Sequence, residues 1–414
     1  MREPTSAFGR SSGSFYFGIA LSLLFLLYAG CGLFGYGTDG DTYLMLRSWV
    51  SMFWEHDYHP SRSPGYPLAE LLIGFSSHLG GHILSNSLSA LMGCAALASF
   101  YHLLRARFPS STALWCMVAL GLNPYWVIAA SSSMDYVYAA AFFMMGLVAL
   151  RHSQLQIAAL AFAAAAASRL TYLPLGLLSF AAAALLAAVD GHKPGTRPLI
   201  SRWRLAGGAA SLLALTLLAY APVYQDVGNN MFIVWMDGQV SFFGTRGFAS
   251  PLDYAVRFVY KNVSLWGLPS FCIFLGAMVY SLRHRSPEVN SRRILAAAWA
   301  GFIYCGLVFL RIPVEVSYLL PTLFFGCFLV ARFPHARAAA ISLLVFHVFY
   351  GVLALEFLRI EYGNGGASQK KTASGARLSP HFARGVLLKD LSRRAERQEY
   401  FFPHYIGTRK PSEL

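Results

Sequence analysis

The chain has 414 residues, of which 56% are hydrophobic, 15% aromatic and only 13% charged. Soluble globular chains carry about 25% charged residues, so the composition argues against an ordinary cytosolic enzyme. The formal net charge of +14 argues no better for a nucleic-acid binder, because cytoplasmic loops of membrane proteins collect Lys and Arg.

Taken in chain order, the sequence reads as an all-α polytopic membrane protein with about eleven transmembrane helices. Residues 1–14 form a cytoplasmic N-terminus. The first span, 15–33, is long enough to remain in the membrane and lacks the small-residue pattern that ends a cleaved signal. An outer loop, 34–82, follows. Within it the apolar stretch 66–80 contains Pro67 and Glu70 and is read as a juxtamembrane or re-entrant helix. Spans are then expected at 83–104, 113–130, 136–150, 155–168, 173–188 and 207–223. A second outer loop, 224–264, precedes spans at 265–282, 294–310, 318–330 and 338–357. The transmembrane domain therefore covers 15–357, and 358–414 forms a basic tail placed on the non-cytoplasmic side. The six cysteines lie in or beside apolar runs without CxxC spacing, as small lipid- or core-facing residues do.

Orientation follows from the charges. Arg105, Arg107, Arg151, Arg204, Arg283 and Arg332 mark one set of loops, and Asp39, Asp41, Asp135, Asp226, Asp253 and Glu315 mark the other. The basic set faces the cytoplasm.

The chemistry-bearing residues gather on the acidic side. Asp39 and Asp41 flank Gly40 where the first span leaves the membrane. A desolvated carboxylate beside a second negative charge suits a general base, and the pair equally suits Mg²⁺ or Mn²⁺. A solvated Asp/Gly turn explains the same residues. Arg62 stands beside the rigid turn Pro64, Gly65, Tyr66, Pro67, where a held cation can meet a phosphate. His56, Asp57 and His59 match no common ligand spacing and read as solvated loop. Asp135 follows three serines at the mouth of the fourth span, Arg169 and Tyr172 lie between the fifth and sixth, and Arg311 and Glu315 between the ninth and tenth. Isolated charges at span edges are costly unless paired or wetted, so they mark a site, although snorkelling accounts for each singly. Trp235 and Arg246 in the second outer loop could cover a lipid phosphate, or form part of an aromatic belt.

The order of these motifs resembles the membrane-embedded GT-C glycosyltransferases. The similar parts are the Asp39/Asp41 motif, the 62–67 segment, Asn123 and Pro124 followed by Asp135, Arg169 with Tyr172, Leu173 and Pro174, and the run Tyr318, Leu319, Leu320, Pro321. Relatives often carry an arginine just before that last run, where this chain has Ser317, with Arg311 as a substitute. The resemblance implies a GT-C-like architecture and an inverting sugar transfer on the non-cytoplasmic face. The donor it implies is a polyprenyl-phosphate sugar, and the acceptor a lipid, glycan or protein hydroxyl. Under it, Asp39 and Asp41 are catalytic and hold any metal. Arg62, Arg169, Arg311 and Arg246 bind the donor phosphate, while Asp135, Tyr172, Glu315, Tyr318 and Trp235 bind substrate. No nucleic acid is a partner, and a bacterial inner membrane is favoured over the endoplasmic reticulum despite the sequon at Asn262. The competing readings are a transporter or lipid-linked sugar flippase, and a non-catalytic subunit of the same architecture.

Overall fold

A computed structural model of the chain describes residues 7–62, 64–190, 201–228, 251–284, 289–311, 316–362 and 373–401. Helix α1 (Ala7–Gly32) contains the first apolar span, Ser14–Gly32. Its last carbonyls have no partner within the helix. Asn86 supplies one, donating from Nδ2 to Gly32 O and Gly35 O at 2.8 Å each. A short helix α2 (Gly40–Val50) follows, extended by a π-helical turn, Ser51–Glu55.

Helix α3 (Pro67–Arg105) is two helices joined at Gly80 and Gly81, whose φ values of −152° and 59° break the helical geometry. The break divides the stretch expected as a juxtamembrane helix, 66–80, from the span expected at 83–104. Next come α4 (Ser110–Gly121) and α5 (Pro124–Ala130), bent by 73° where the sequence suggested one continuous span. Asn123 causes the break. Its side chain accepts from Tyr125 N at 3.0 Å and Trp126 N at 3.3 Å, and Pro124 opens α5, so helix α5 starts afresh there.

Helices α6 (Asp135–Arg151) and α7 (Leu155–Ser168) pack side by side, with α6 also lying on α3. The alanine-rich α7 lets neighbours approach closely, as small residues do in membrane bundles. The layer continues through α8 (Tyr172–Asp190), α9 (Arg202–Ala219) and the short α10 (Ala221–Val227). An amphipathic helix, α11 (Pro251–Trp266), then meets α12 (Leu268–Arg283) at 108° across Gly267. Helices α13 (Val289–Arg311), α14 (Leu320–Ala331) and α15 (Ala336–Val352) complete the bundle, with a 3₁₀ turn, Val316–Leu319, opening α14.

Among the described residues, 3 helices are long and apolar enough to cross a membrane alone, or up to 5 if each bent pair is one span. Several shorter apolar helices, including Leu155–Ser168 and Ala336–Val352, lie between them. The architecture is all-α and apolar, as expected; the figure of eleven spans is not reproduced by length and composition alone. The last expected span, 338–357, ends early. Helix α15 stops at Val352, and Leu353 begins strand β1 (Leu353–Tyr362), which pairs antiparallel with β2 (Ala373–Arg384). β-Branched and aromatic residues near 345–358 read as apolar span in sequence, yet they cross from helix to strand. The tail then forms helix α16 (Val386–Phe401), which packs on α5 and α15.

Candidate active site

Two loops meet at one end of the bundle, and both are set by local capping chemistry. Asp39 is the N-cap of α2: its backbone is extended, and its carboxylate accepts from Asp41 N at 3.1 Å. Gly37, at φ +143°, faces Ser132, and a Cβ there would stand 3.1 Å from the Ser132 Cβ. Only glycine combines that dihedral with so close an approach. Ser133 N donates to Tyr36 O at 2.8 Å across the same junction, and Ser133 Oγ donates to Asn86 Oδ1 at 2.8 Å while lying 2.7 Å from Ser85 Oγ. The turn that ends in Asp135, first residue of α6, is thereby held against the turn that begins α2.

Asp135 is fully buried. Its Oδ1 lies 3.2 Å from Arg62 Nη2, and its Oδ2 lies 2.8 Å from Arg169 Nη1. Arg62 Nη1 also donates to Asp41 Oδ2. Charges therefore alternate in a row: Asp41, Arg62, Asp135, Arg169. Tyrosine faces surround the two guanidiniums. Arg62 lies 4.6 Å from the Tyr66 ring centre, and Arg169 lies 4.0 Å from Tyr136 and 4.6 Å from Tyr318. Burial works against the charge on Arg62, but Tyr66, Asp135, Tyr136 and Asp41 outweigh it and hold the guanidinium above its usual range. A small cavity adjoins Arg169, lined by Tyr136, Tyr172, Tyr304, Ser317 and Tyr318 among others.

A second network holds the loop that presents Arg62. Glu70, fully buried in the first turn of α3, accepts from Tyr58 Oη, Ser61 Oγ, Ser61 N at 2.8 Å and Tyr66 N at 3.4 Å. Burial, then the Glu70 charge, push the Tyr58 hydroxyl well above its ordinary range. Tyr220 Oη donates to Gly65 O at 3.0 Å, and His59 Nδ1 lies 2.8 Å from Asp226 Oδ1 of α10.

The structure thus brings together Asp41, Arg62, Asp135, Arg169, Tyr172 and Tyr318 of the predicted set. Asp39 is near them but caps a helix. Arg311 ends α13 with an exposed side chain and does not join the row. Trp235, Arg246 and Glu315 lie outside the described residues. Sequence reasoning did not place Tyr66 and Tyr136 in the site, although both adjoin a predicted residue or turn. Glu70 showed itself only as a charge in an apolar stretch. Asp39 and Asp41, proposed to share any Mg²⁺ or Mn²⁺, are directed to different partners. Among the described residues no group of three His, Cys, Asp or Glu side chains gathers.

Comparison with solved structures finds ArnT from Cupriavidus metallidurans bound to undecaprenyl phosphate, at 18% identity and a TM-score of 0.52, covering 81% of this chain and 60% of that one. This chain shares the fold of that protein over most of its length. It spans less than two thirds of the length of the ArnT chain. No family model and no curated protein sequence matches it. The shared fold agrees with the resemblance read from the motif order. Within it, the row sits on helix ends and the loops beside them: Asp41 and Asp135 in first turns, Arg169 at a helix C-cap and Arg62 in a loop.

Proposed function

We propose that this chain is a membrane glycosyltransferase that moves a sugar from a polyprenyl-phosphate donor to a hydroxyl acceptor. The observation that carries this reading is the buried row of alternating charge, with two guanidiniums stacked on tyrosines beside a cavity. A similar fold in a protein solved with undecaprenyl phosphate supports a lipid-phosphate donor.

The row divides the work of an inverting displacement. The acceptor oxygen attacks the anomeric carbon, and its proton passes to Asp41, the carboxylate at the more open end of the row. The bond from that carbon to the phosphate oxygen breaks, and its electron pair leaves with the polyprenyl phosphate. Arg62 and Arg169 carry the positive charge that stabilises the leaving phosphate. Asp135 holds both guanidiniums at fixed spacing and balances them while the site is empty. Asp39 acts on the backbone, capping α2 so that Asp41 points to Arg62. An aromatic, partly dry enclosure strengthens each of these interactions relative to water. We place the chain in a bacterial inner membrane, with the row on its non-cytoplasmic face.

The test is sugar transfer by the full chain in sealed proteoliposomes, with radiolabelled polyprenyl-phosphate sugars and a membrane-lipid extract as acceptor. Transfer that is lost in a folded Asp41→Asn variant supports the reading, and a chelator arm asks whether Mg²⁺ or Mn²⁺ takes part. A donor panel that crosses the bilayer without transfer would turn the reading into a flippase.

A further inference from the structure

Helix α16 presses a buried ion pair against both segments that carry the acids. Asp390 accepts from Thr38 Oγ1 at 2.6 Å, one residue before Asp39. Arg394, one helical turn on, donates from Nε to the other oxygen of the same carboxylate at 2.7 Å. The far side of its guanidinium faces the turn leading to Asp135. Nη1 donates to Ser131 O at 2.5 Å, and Nη2 to Ile128 O at 3.3 Å and Ser131 Oγ at 3.2 Å. Ser131 is the C-cap of α5, so the cation sits at the helix end where carbonyl oxygens face outward and the partial charge is negative. The Arg394 side chain has no exposed surface.

The approach that allows this is built into the backbone. Gly385 N donates to Val352 O at 2.8 Å, and Gly385 lies against the backbone of Gly351, leaving no room for a side chain. Helix α16 therefore descends onto α5 directly from the hairpin. The two acid-bearing segments already touch through Ser133 N and Tyr36 O, through Thr42 Oγ1 and Met134 Sδ at 2.9 Å, and through Arg62, which reaches Asp41 and Asp135. Those contacts lie within the two segments and the Arg62 loop; Asp390 and Arg394 add a brace from a separate element, anchored by the close pass of Gly385 over Gly351.

We propose that Arg394 and Asp390 are positioning residues: from the C-terminal helix they lock segment 38–41 to segment 131–135 and so set the distance between Asp41 and Asp135. What those acids do rests on the transferase reading above, but the tie itself does not. The tie needs Arg, because its planar fork reaches Asp390 on one side and the Ser131 and Ile128 oxygens on the other, whereas the three donors of a Lys ammonium radiate from one nitrogen.

The experiment measures hydrogen exchange and turnover on the full chain in nanodiscs. In Arg394→Gln, peptides covering 36–42 and 128–135 are expected to exchange about tenfold faster, while α6 and α7 stay as protected as in wild type. Turnover of a polyprenyl-phosphate sugar is expected to fall about tenfold at an unchanged KM for the donor, since misplacement costs rate rather than binding. Arg394→Lys keeps the charge, yet both loops are expected to remain loose. Thr38→Val, which removes one hydroxyl at constant volume, is expected to loosen 36–42 alone, and it decides the matter if Arg394→Gln does not fold. Wild-type exchange in both loops of a folded Arg394→Gln protein, or a turnover loss seen only in KM, would overturn the proposal. If wild type turns over no donor, the transferase reading fails, and the exchange arm still judges the tie.

Discussion

Asp135 and Arg169 stand 2.8 Å apart, both buried, yet Asp135 Oδ2 and Arg169 Nη1 lack a well-aligned hydrogen bond. Arg62 Nε, in the same cluster, also has no hydrogen-bond partner among the described residues. Buried polar atoms are nearly always satisfied, so unsatisfied atoms gathered in one ion-pair cluster call for a physical account. Charge attraction holds this row together and leaves Arg62 Nε as donor capacity that the proposed donor phosphate would use.

The two acids of the first motif separate by substitution. Asp41→Asn is expected to reduce sugar transfer by roughly 10²–10⁴-fold, the range for a lost general base. Asp39→Asn is expected to keep transfer within a few-fold, because Asn caps a helix about as well as Asp. Asp39→Ala is expected to lower stability by about 1 kcal/mol through the lost cap. Initial transfer rates and thermal unfolding of the three variants make the comparison.

Asp135→Asn leaves two buried guanidiniums short of their counter-charge. Breaking a buried pair from one side costs about 3–5 kcal/mol, so this variant is expected to unfold at clearly lower temperature than Asp41→Asn. Added polyprenyl phosphate is expected to restore part of the loss, since it supplies an anion to the same cations. Differential scanning fluorimetry with and without that lipid reads both effects.

Glu70→Gln keeps the volume of the side chain but removes the charge that Tyr58, Ser61 and Tyr66 donate to. Hydrogen bonds to a charged group contribute about 1.5–3 kcal/mol, and the loop they flank presents Arg62. Donor KM is expected to rise more than kcat falls, because the proposed phosphate contact of Arg62 acts in ground and transition states alike.

Alkaline pH provides a further test. In the folded chain the Tyr58 hydroxyl ionises well above its ordinary value, first because it is buried and then because Glu70 is negative. A group with a raised folded pKa contributes its full stability below the unfolded pKa and loses it as pH climbs towards the folded one. Stability is therefore expected to decline above about pH 10, the unfolded tyrosine value, and Tyr58→Phe is expected to flatten that decline. Unfolding temperatures from pH 8 to 11 for the two proteins show the difference.

Much of this was legible in the sequence, where the information is local. Apolar runs placed α1, α6, α7 and α8, Pro67 and Glu70 marked the juxtamembrane half of α3, and the charged residues at span edges pointed to one end of the bundle. Hydrophobic periodicity and the cost of an unpaired charge in an apolar setting suffice for those statements. Tertiary structure decided which charges meet. Asp135 lies 73 residues from Arg62 in sequence, and their pairing depends on how α3, α6 and α7 pack. It also split Asp39 from Asp41 by the direction of each carboxylate, left Arg311 exposed, and turned a basic tail into a helix whose Arg394 is buried. An Arg four residues after an Asp occurs on countless solvated helices. Only the close passage of Gly385 over Gly351, a contact between chain segments that no local pattern encodes, brings this pair down onto the site.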